Sequence, residues 1–197
     1  DSDRPLWIGA CDNGMRYDGS RLEALVNDPT IDGIVFTMKG HASAVAHPQM
    51  YGWVKTSGED IAEAILVKQP VSDHPETDHA IVGAFYFKRA GLLVDGLAAL
   101  RRKDERINNE FYVDSVMAEL VRSGSKIAAF KVDYYLGWGT PDDWQTYEYW
   151  TRYFSLARRS PELSVVIPCY NEGEGIPRLV DRLKDVVQAC PELHIVL

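Results

Sequence analysis

Residues 80–88 read AIVGAFYFK, and this stretch carries the clearest strand pattern in the 197-residue chain. It is rich in β-branched and aromatic residues, which favour extended backbone. Other short apolar runs stand before and after it: PLWIGA begins at residue 5, IVFT at residue 34 and IAAFKVD at residue 127. Their length and composition indicate buried strands. The sequence therefore predicts several buried strands, of which residues 80–88 form the strongest.

Helical patterns separate these strands. Four leucines between residues 92 and 100 mark one amphipathic helix, and residues 109–123 mark a second, with Gly124 suited to its C-terminal cap. Thr140-Pro141-Asp142-Asp143 indicates the start of a third, with a capping Thr, Pro at the first position and acids in the first turn. Helices alternating with strands favour a layered α/β fold with a mostly parallel, mixed sheet.

Composition and charge exclude several classes of protein. The net charge of −8 argues against a nucleic-acid partner and against binding to anionic membranes. No apolar run reaches the roughly 18 residues that a membrane-spanning helix needs. The three cysteines have no metal-ligand spacing and leave an odd thiol, which suits a cytoplasmic protein. The start, DSDRP, has neither Met nor a signal peptide, and we expect it to be a domain boundary.

Asp12 follows the first predicted strand directly, in the segment CDNG. In open α/β sheets, ligands bind beyond the carboxyl ends of strands. A carboxylate in that position can hold Mg²⁺ against the phosphates of a nucleotide. Asp-Asn-Gly is also a common turn sequence, so the segment by itself leaves both interpretations open.

Several segments in a fixed order resemble the sugar-1-phosphate nucleotidyltransferase superfamily, with capsule-type members the most similar. They are YGWVKT from residue 51, VKQP from 67, AIVGAFYFK from 80, NNEFYVD from 108 and VDYYLGWGTPDDW from 132. The resemblance covers residues ~5–150. It implies a Rossmann-like fold of the GT-A type and a reaction in which a sugar phosphate attacks the α-phosphorus of a nucleoside triphosphate and pyrophosphate leaves.

The resemblance also implies roles for individual residues. The family's Mg²⁺-binding catalytic Asp falls on Asp12, and its sugar-lining Tyr-Gly pair falls on Tyr51 and Gly52. The Gly that passes close to the sugar falls on Gly83. Glu110 and Trp138 are further expected substrate contacts, although an aromatic residue so near a strand end also suits a core position.

The chain departs from the family pattern at two further motifs. Where many members have Glu-Lys-Pro, this chain has Lys68-Gln69-Pro70, so the catalytic cation is retained at Lys68 but the Glu is lost. The family's second metal-binding Asp falls on Gly137. Asp133 is the expected substitute, with a strand-end turn as its alternative interpretation, and Asp114 is another acid nearby in sequence.

The family opens with a Gly-rich loop that wraps the triphosphate through backbone N–H groups. No such loop occurs in these 197 residues, so we expect the N-terminal phosphate-loop portion to be missing and the isolated chain to be inactive. Residues 1–160 would then be the C-terminal portion of a nucleotidyltransferase domain.

The segment LSVVIPCYNEGEGI, residues 163–176, resembles the first strand and loop of family-2 glycosyltransferases. The resemblance covers residues ~163–197 and implies a second module over 161–197, with Pro168, Tyr170 and Glu172 lining the nucleotide of a nucleotide-sugar donor. A generic βα unit is the alternative interpretation. A homo-oligomer is one outcome of such an arrangement, because an exposed βαβ segment can exchange with a neighbouring copy.

Two other functions stay open on the sequence alone. The first module could be a degenerate donor-binding scaffold for a glycosyltransferase, which Gly137 in place of an Asp and the missing Glu beside Lys68 favour. It could also be a binding module without chemistry. The aromatic stripe from Trp144 to Phe154 has the spacing of a buried helix face and is expected in the core.

Overall fold

A computed structural model describes residues 2–157, 163–166, 175–189 and 193–196 of the chain. The chain divides into two units, Asp1–Gly139 and Thr140–Leu197. The boundary predicted near residue 160 falls within residues 158–162, outside the described part.

The first unit is built on a six-stranded mixed sheet and a separate two-stranded ribbon. Strand order in the sheet is β5-β4-β6-β3-β7, with β1 also paired to β6. β3 and β7 run parallel, and the other described pairs of this unit are antiparallel. With helices packed on the sheet, the predicted layered, mixed α/β fold is confirmed. Its strand directions differ from the expected mostly parallel arrangement, because antiparallel pairs outnumber the β3–β7 pair among the described strands of this sheet. The strands are β1 (Leu6–Ile8), β2 (Asn13–Arg16), β3 (Gly33–Met38), β4 (Gly52–Thr56), β5 (Ala62–Val67), β6 (His79–Phe87), β7 (Ile127–Lys131) and β8 (Tyr134–Gly137).

Four helices belong to this unit: α1 (Gly19–Asn27), α2 (Ala42–Ala46), α3 (Ala90–Lys103) and α4 (Val113–Arg122). α4 begins four residues later than the sequence predicts. Asn108 and Asn109 have φ of 50° and 63°, and Ile107 and Glu110 close a two-residue turn around them. Asn tolerates this left-handed conformation, so a tight turn replaces the first helical turn.

β6 is the central strand, and both of its faces are buried. Ala80, Val82, Ala84 and Tyr86 face one core cluster together with β3 residues such as Phe36. The alternate residues of β6 face a second cluster that includes residues of α3 and α4: Ile81, Phe85 and Phe87. Successive side chains of a strand point to opposite faces, and a strand covered on both sides is therefore apolar throughout. This explains why residues 80–88 stand out in the sequence.

One edge of β6 is split between two short strands. β3 pairs along the other edge, while β1 pairs with residues 85–87 and β4 pairs only with His79 and Ala80. Among the described strands, none therefore pairs with residues 81–84 on this edge. Gly83, with φ of 92°, lies in this gap where the register with β3 shifts. A bulge of this kind bends the strand and often adjoins a functional site.

The second unit contains α5 (Pro141–Ala157), β9 (Leu163–Val166), α6 (Ile176–Ala189) and β10 (Leu193–Val196), and β9 and β10 pair in parallel. The Thr140 hydroxyl accepts a hydrogen bond from the Asp143 N–H at 3.1 Å, which confirms the predicted helix start. The expected burial of the aromatic stripe is wrong, because Trp144, Trp150 and Phe154 are exposed. In the described residues, no helix is long and apolar enough to cross a membrane.

Candidate active site

A cleft of about 340 Å³ opens at the split edge of β6. It lies between the chain that follows β1 and the start of β4, with α4 beginning at its side. Its size is at the lower end for small-molecule sites. The residues that line it are Ala10, Asp12, Asn13, Met50, Tyr51, Gly52, Ile81, Val82, Gly83, Phe85, Tyr112, Val113, Asp114 and Tyr135. Four predicted site residues, Asp12, Tyr51, Gly52 and Gly83, are thus brought together.

Asp12 reaches the cleft because β1 ends at Ile8 and the chain then passes Gly83. The amide of Asn13 donates a hydrogen bond to the Val82 carbonyl at 2.9 Å, which satisfies a backbone group that no strand pairs. The Ala10 methyl group comes within 3.3 Å of where a Cβ on Gly83 would stand. The Asp12 carboxylate is exposed beside this junction, with room for a ligand or a cation.

Gly52 makes room for a carboxylate from α4. A Cβ on Gly52 would lie 2.5 Å from Oδ2 of Asp114, so any side chain at this position would force the carboxylate to move. The Ser115 N–H donates to the other oxygen of Asp114 at 3.1 Å. Burial raises the pKa of the Asp114 carboxyl, and that hydrogen bond and the Lys68 ammonium partly oppose the shift. Asp114 therefore has unused hydrogen-bonding capacity facing the cleft.

Lys68 stands behind the cleft and does not line it. Its ammonium donates to the Met50 carbonyl at 2.6 Å and lies 5.6 Å from the centre of the Tyr112 ring. A hydrogen bond with the Glu110 carboxylate raises the pKa of the Tyr112 hydroxyl. Glu110 itself is exposed and does not line the cleft, so its nearest link to the site is Tyr112.

Asp133 and Trp138 lie elsewhere in the first unit. Asp133 precedes β8 and forms an ion pair with Arg21 at 3.3 Å. In the β2–β8 ribbon, Asn13 pairs with Gly137 and Arg16 pairs with Tyr134, which puts Asp12 and Asp133 at opposite ends, about 15 Å apart at the usual rise of a strand. The two carboxylates are too far apart to share one ion. The Trp138 ring covers Gly14 and does not line the cleft.

Sequence reasoning did not assign Tyr112, Asn13 or Asp114 to the cleft. The signal for two of them was present in NNEFYVD, because the Asn108-Asn109 turn directs the following residues toward β4. Pro168, Tyr170 and Glu172 lie outside the described residues. In the described part of the chain, no group of three or more His, Cys, Asp or Glu side chains is arranged to hold a metal. Any cation in the cleft would thus take most of its ligands from the substrate or water.

No protein-family model and no curated protein matches the chain. Solved structures do match. The nucleoside-diphosphate-sugar pyrophosphorylase of Vibrio cholerae RC9 is 15% identical, with a TM-score of 0.53, over 73% of this chain and 55% of that one. A protein described as a glucose-1-phosphate thymidylyltransferase from Bacillus anthracis, solved with a sucrose, is 12% identical, with a TM-score of 0.54, over 76% and 55%.

The apo structure of a UDP-glucose pyrophosphorylase is 15% identical, with a TM-score of 0.56, over 76% of this chain and 56% of that one. The chain thus spans about 55% of the length of the solved structures it matches. At this identity the likeness concerns the fold, and over about three quarters of its length this chain shares the fold of sugar nucleotidyltransferases.

Proposed function

We propose that the first unit takes part in transfer of a nucleotidyl group from a nucleoside triphosphate to a sugar 1-phosphate or a similar phosphorylated small molecule, with release of pyrophosphate. The observation that carries the proposal is the meeting of Asp12, Tyr51, Gly52 and Gly83 in one cleft at a sheet edge. The fold shared with sugar nucleotidyltransferases supports it.

The reaction asks the protein mainly for positioning and for neutralisation of charge. An oxygen of the acceptor phosphate forms a bond to the α-phosphorus. The bond from that phosphorus to the oxygen bridging the α- and β-phosphates breaks, and pyrophosphate leaves with the electron pair. Gly52 and Gly83 let the acceptor approach the backbone, and Lys68 would neutralise its phosphate once its ammonium leaves the Met50 carbonyl.

The cleft fits a Mg²⁺ ion, because the exposed carboxylate of Asp12 is a hard oxygen ligand on its wall. Mg²⁺ commonly binds through one or two carboxylates together with substrate phosphates. When bound, it would supply positive charge to the phosphates. Asp133 is left out as a ligand of this ion because it lies far from Asp12. We also propose a cytoplasmic location for the protein.

The test is turnover by the full-length gene product with Mg²⁺, a panel of nucleoside triphosphates and a panel of sugar phosphates. We expect Asp12→Asn to reduce pyrophosphate release by at least about a hundredfold, because it removes a charged ligand at the reacting phosphates. Asp133→Asn is the matched control and should retain turnover. Wild-type turnover in Asp12→Asn, with circular dichroism showing an unchanged fold, would remove Asp12 from the site.

For residues 161–197 we propose the opening segment of a family-2 glycosyltransferase that uses a nucleotide-sugar donor. The parallel β9–α6–β10 unit is the observation that favours it. Pro168, Tyr170 and Glu172 would contact the nucleotide. Transfer of sugar from a panel of donors, measured in the full-length gene product, tests this proposal, and unchanged transfer in Tyr170→Ala together with Glu172→Ala would contradict it.

A further inference from the structure

The charged residues on the cleft wall share one sign. Among the described residues that line it, Asp12 and Asp114 are charged and both are acidic. A phosphorylated acceptor is also negative, so a cleft that simply attracted phosphate would be expected to present cations. If Asp12 is committed to a divalent cation, the charge of Asp114 still has no counterpart on the wall itself.

The Asp114 carboxylate is held in a defined position on the wall of the cleft. Its Oδ2 lies in the space that the missing side chain of Gly52 leaves free, on the wall of the cleft. Its Oδ1 accepts from the Ser115 N–H. The helix start and the glycine thus fix a half-buried carboxylate that can still accept further hydrogen bonds from a donor in the cleft.

Four aromatic residues line the same cleft as this carboxylate. They are Tyr51, Phe85, Tyr112 and Tyr135. The faces of aromatic rings attract cations, and the attraction grows when water is displaced. A carboxylate among aromatic rings is the chemistry that recognises an ammonium group, because charge attraction and ring attraction act on the same ligand.

Lys68 completes the charge pattern. Its ammonium lies behind the rim of the cleft, bonded to the Met50 carbonyl and 5.6 Å from the centre of the Tyr112 ring. The site therefore has a negative charge on the wall and a positive charge beside two of the lining residues, Met50 and Tyr112. A phosphorylated molecule that also carries an amino group has the complementary pair of charges.

We infer that the acceptor carries a positively charged amino or substituted ammonium group, which Asp114 binds within the aromatic wall while Lys68 faces its phosphate. This inference rests on the proposed function and narrows its acceptor to an amino sugar phosphate or an amino alcohol phosphate. Asp114 is then the residue that determines acceptor specificity.

The experiment compares matched acceptors that differ only in the amino group. Binding of glucosamine 1-phosphate against glucose 1-phosphate, and of 2-aminoethyl phosphate against 2-hydroxyethyl phosphate, is measured by calorimetry on the full-length gene product. We expect at least one amino member to bind about tenfold more tightly than its hydroxyl partner, as for a charge-assisted hydrogen bond. Asp114→Asn should abolish this preference, while Asp133→Asn, which removes the same charge outside the cleft, should retain it.

Equal binding within both wild-type pairs, no binding of any of the four compounds, or an undiminished preference in Asp114→Asn would overturn the inference. The wild-type comparison decides the matter even if Asp114→Asn folds poorly. Failure of the proposed function looks different, because the amino preference would then be present without pyrophosphate release. Pyrophosphate release that is equally fast with amino and hydroxyl acceptors would instead contradict the inference and support the proposed function.

Discussion

Gly83 sets the shape of the cleft through its backbone alone. Its φ of 92° is a conformation that residues with a side chain rarely adopt, and the Ala10 methyl group stands 3.3 Å from its missing Cβ. A glycine in the middle of a strand usually weakens the strand. Here it allows a bulge that opens the sheet edge without loss of the flanking pairs.

We predict that Gly83→Ala lowers the free energy of unfolding by about 1–3 kcal/mol, because it adds backbone strain to a close contact with Ala10. Urea unfolding followed by circular dichroism measures the change. Gly124→Ala is a matched control, because Gly124 has φ of 91° but no atom within 4 Å of its missing Cβ. Equal losses in both variants would show that the contact with Ala10 contributes nothing.

His79 is a buried polar residue beside the pairing of β4 with β6. Its Nδ1 lies 2.8 Å from the Thr37 hydroxyl, and its Nε2 lies 3.6 Å from Oδ1 of Asp60. Burial lowers the pKa of His79 from 6.5 to about 4, and the nearby Lys39 ammonium adds to the effect. The folded protein therefore holds His79 neutral at pH 7.

We predict that this histidine makes the fold sensitive to mild acid. The pKa of His79 is lower in the folded state, so its contribution to the free energy of unfolding is complete above pH 6.5. This contribution is lost as the pH falls toward 4, by up to about 3 kcal/mol. Urea unfolding at a series of pH values measures the slope. His79→Asn cannot titrate there, so its slope between pH 6.5 and 4 should be smaller than that of the wild type. Identical slopes in the wild type and His79→Asn would show that His79 does not cause the sensitivity to acid.

The α3–α4 pair is joined by a buried carboxylate. Glu119 of α4 accepts two hydrogen bonds from the Lys103 ammonium of α3, at 2.7 and 2.9 Å, and lies 2.8 Å from Nη2 of Arg122. Glu119 is 8% exposed in its side chain, whereas Lys103 and Arg122 are about half exposed. The two cations can therefore be hydrated again if the ion pair is broken, which limits the loss in free energy of unfolding.

We predict that Glu119→Ala lowers the free energy of unfolding by about 1–3 kcal/mol, since it removes charge-assisted hydrogen bonds that tie two helices together. Glu105→Ala is the control. Glu105 pairs with the same Arg122 at 2.7 Å but is 42% exposed, so its loss should be under about 1 kcal/mol. Thermal unfolding of both variants compares them, and a larger loss at Glu105 would show that burial is not what makes the Glu119 pair matter.

At the scale of the whole molecule, the described residues of the first unit form two core clusters of their own. Both core clusters and the hydrophobic residues that pack on them come from residues 6–135. The edge of β7 is also covered from within this unit, because Ile61 bridges Ala128 and the Ala129 N–H donates to the Asp60 carbonyl at 2.8 Å.

We therefore predict that residues 1–139 alone fold and unfold in one cooperative transition. Its midpoint in urea should agree with that of the main transition of the 197-residue chain, because the same apolar surface is exposed in both. Circular dichroism and tryptophan fluorescence should report coincident curves for the fragment. A fragment without a cooperative transition would mean that the second unit supplies part of the core.

Local chemistry in the sequence predicted the elements well where a single pattern dominated. Residues 80–88 are a strand because both faces are covered, and Thr140 starts a helix because its hydroxyl caps it. α4 was predicted to begin too early because the helical pattern was extended back to residue 109. In the structure Asn108 and Asn109 have left-handed backbone in a turn. The pairing of Asp12 with Asp133 was expected from motif order, but β2 and β8 run antiparallel and carry the two acids to opposite ends of the ribbon.

The sequence by itself predicted the main buried strands and helices, a layered α/β unit, and Asp12, Tyr51, Gly52 and Gly83 as candidates for one site. The strands and helices rest on periodicity and caps, which are local properties, whereas the site candidates rest on the resemblance to the nucleotidyltransferase superfamily. Only the tertiary structure decided that β1 and β4 share one edge of β6 and that Asp114 lies against Gly52. Strand pairing joins residues that are distant in the chain, and the space left by a missing Cβ has meaning only once a second segment is packed against it.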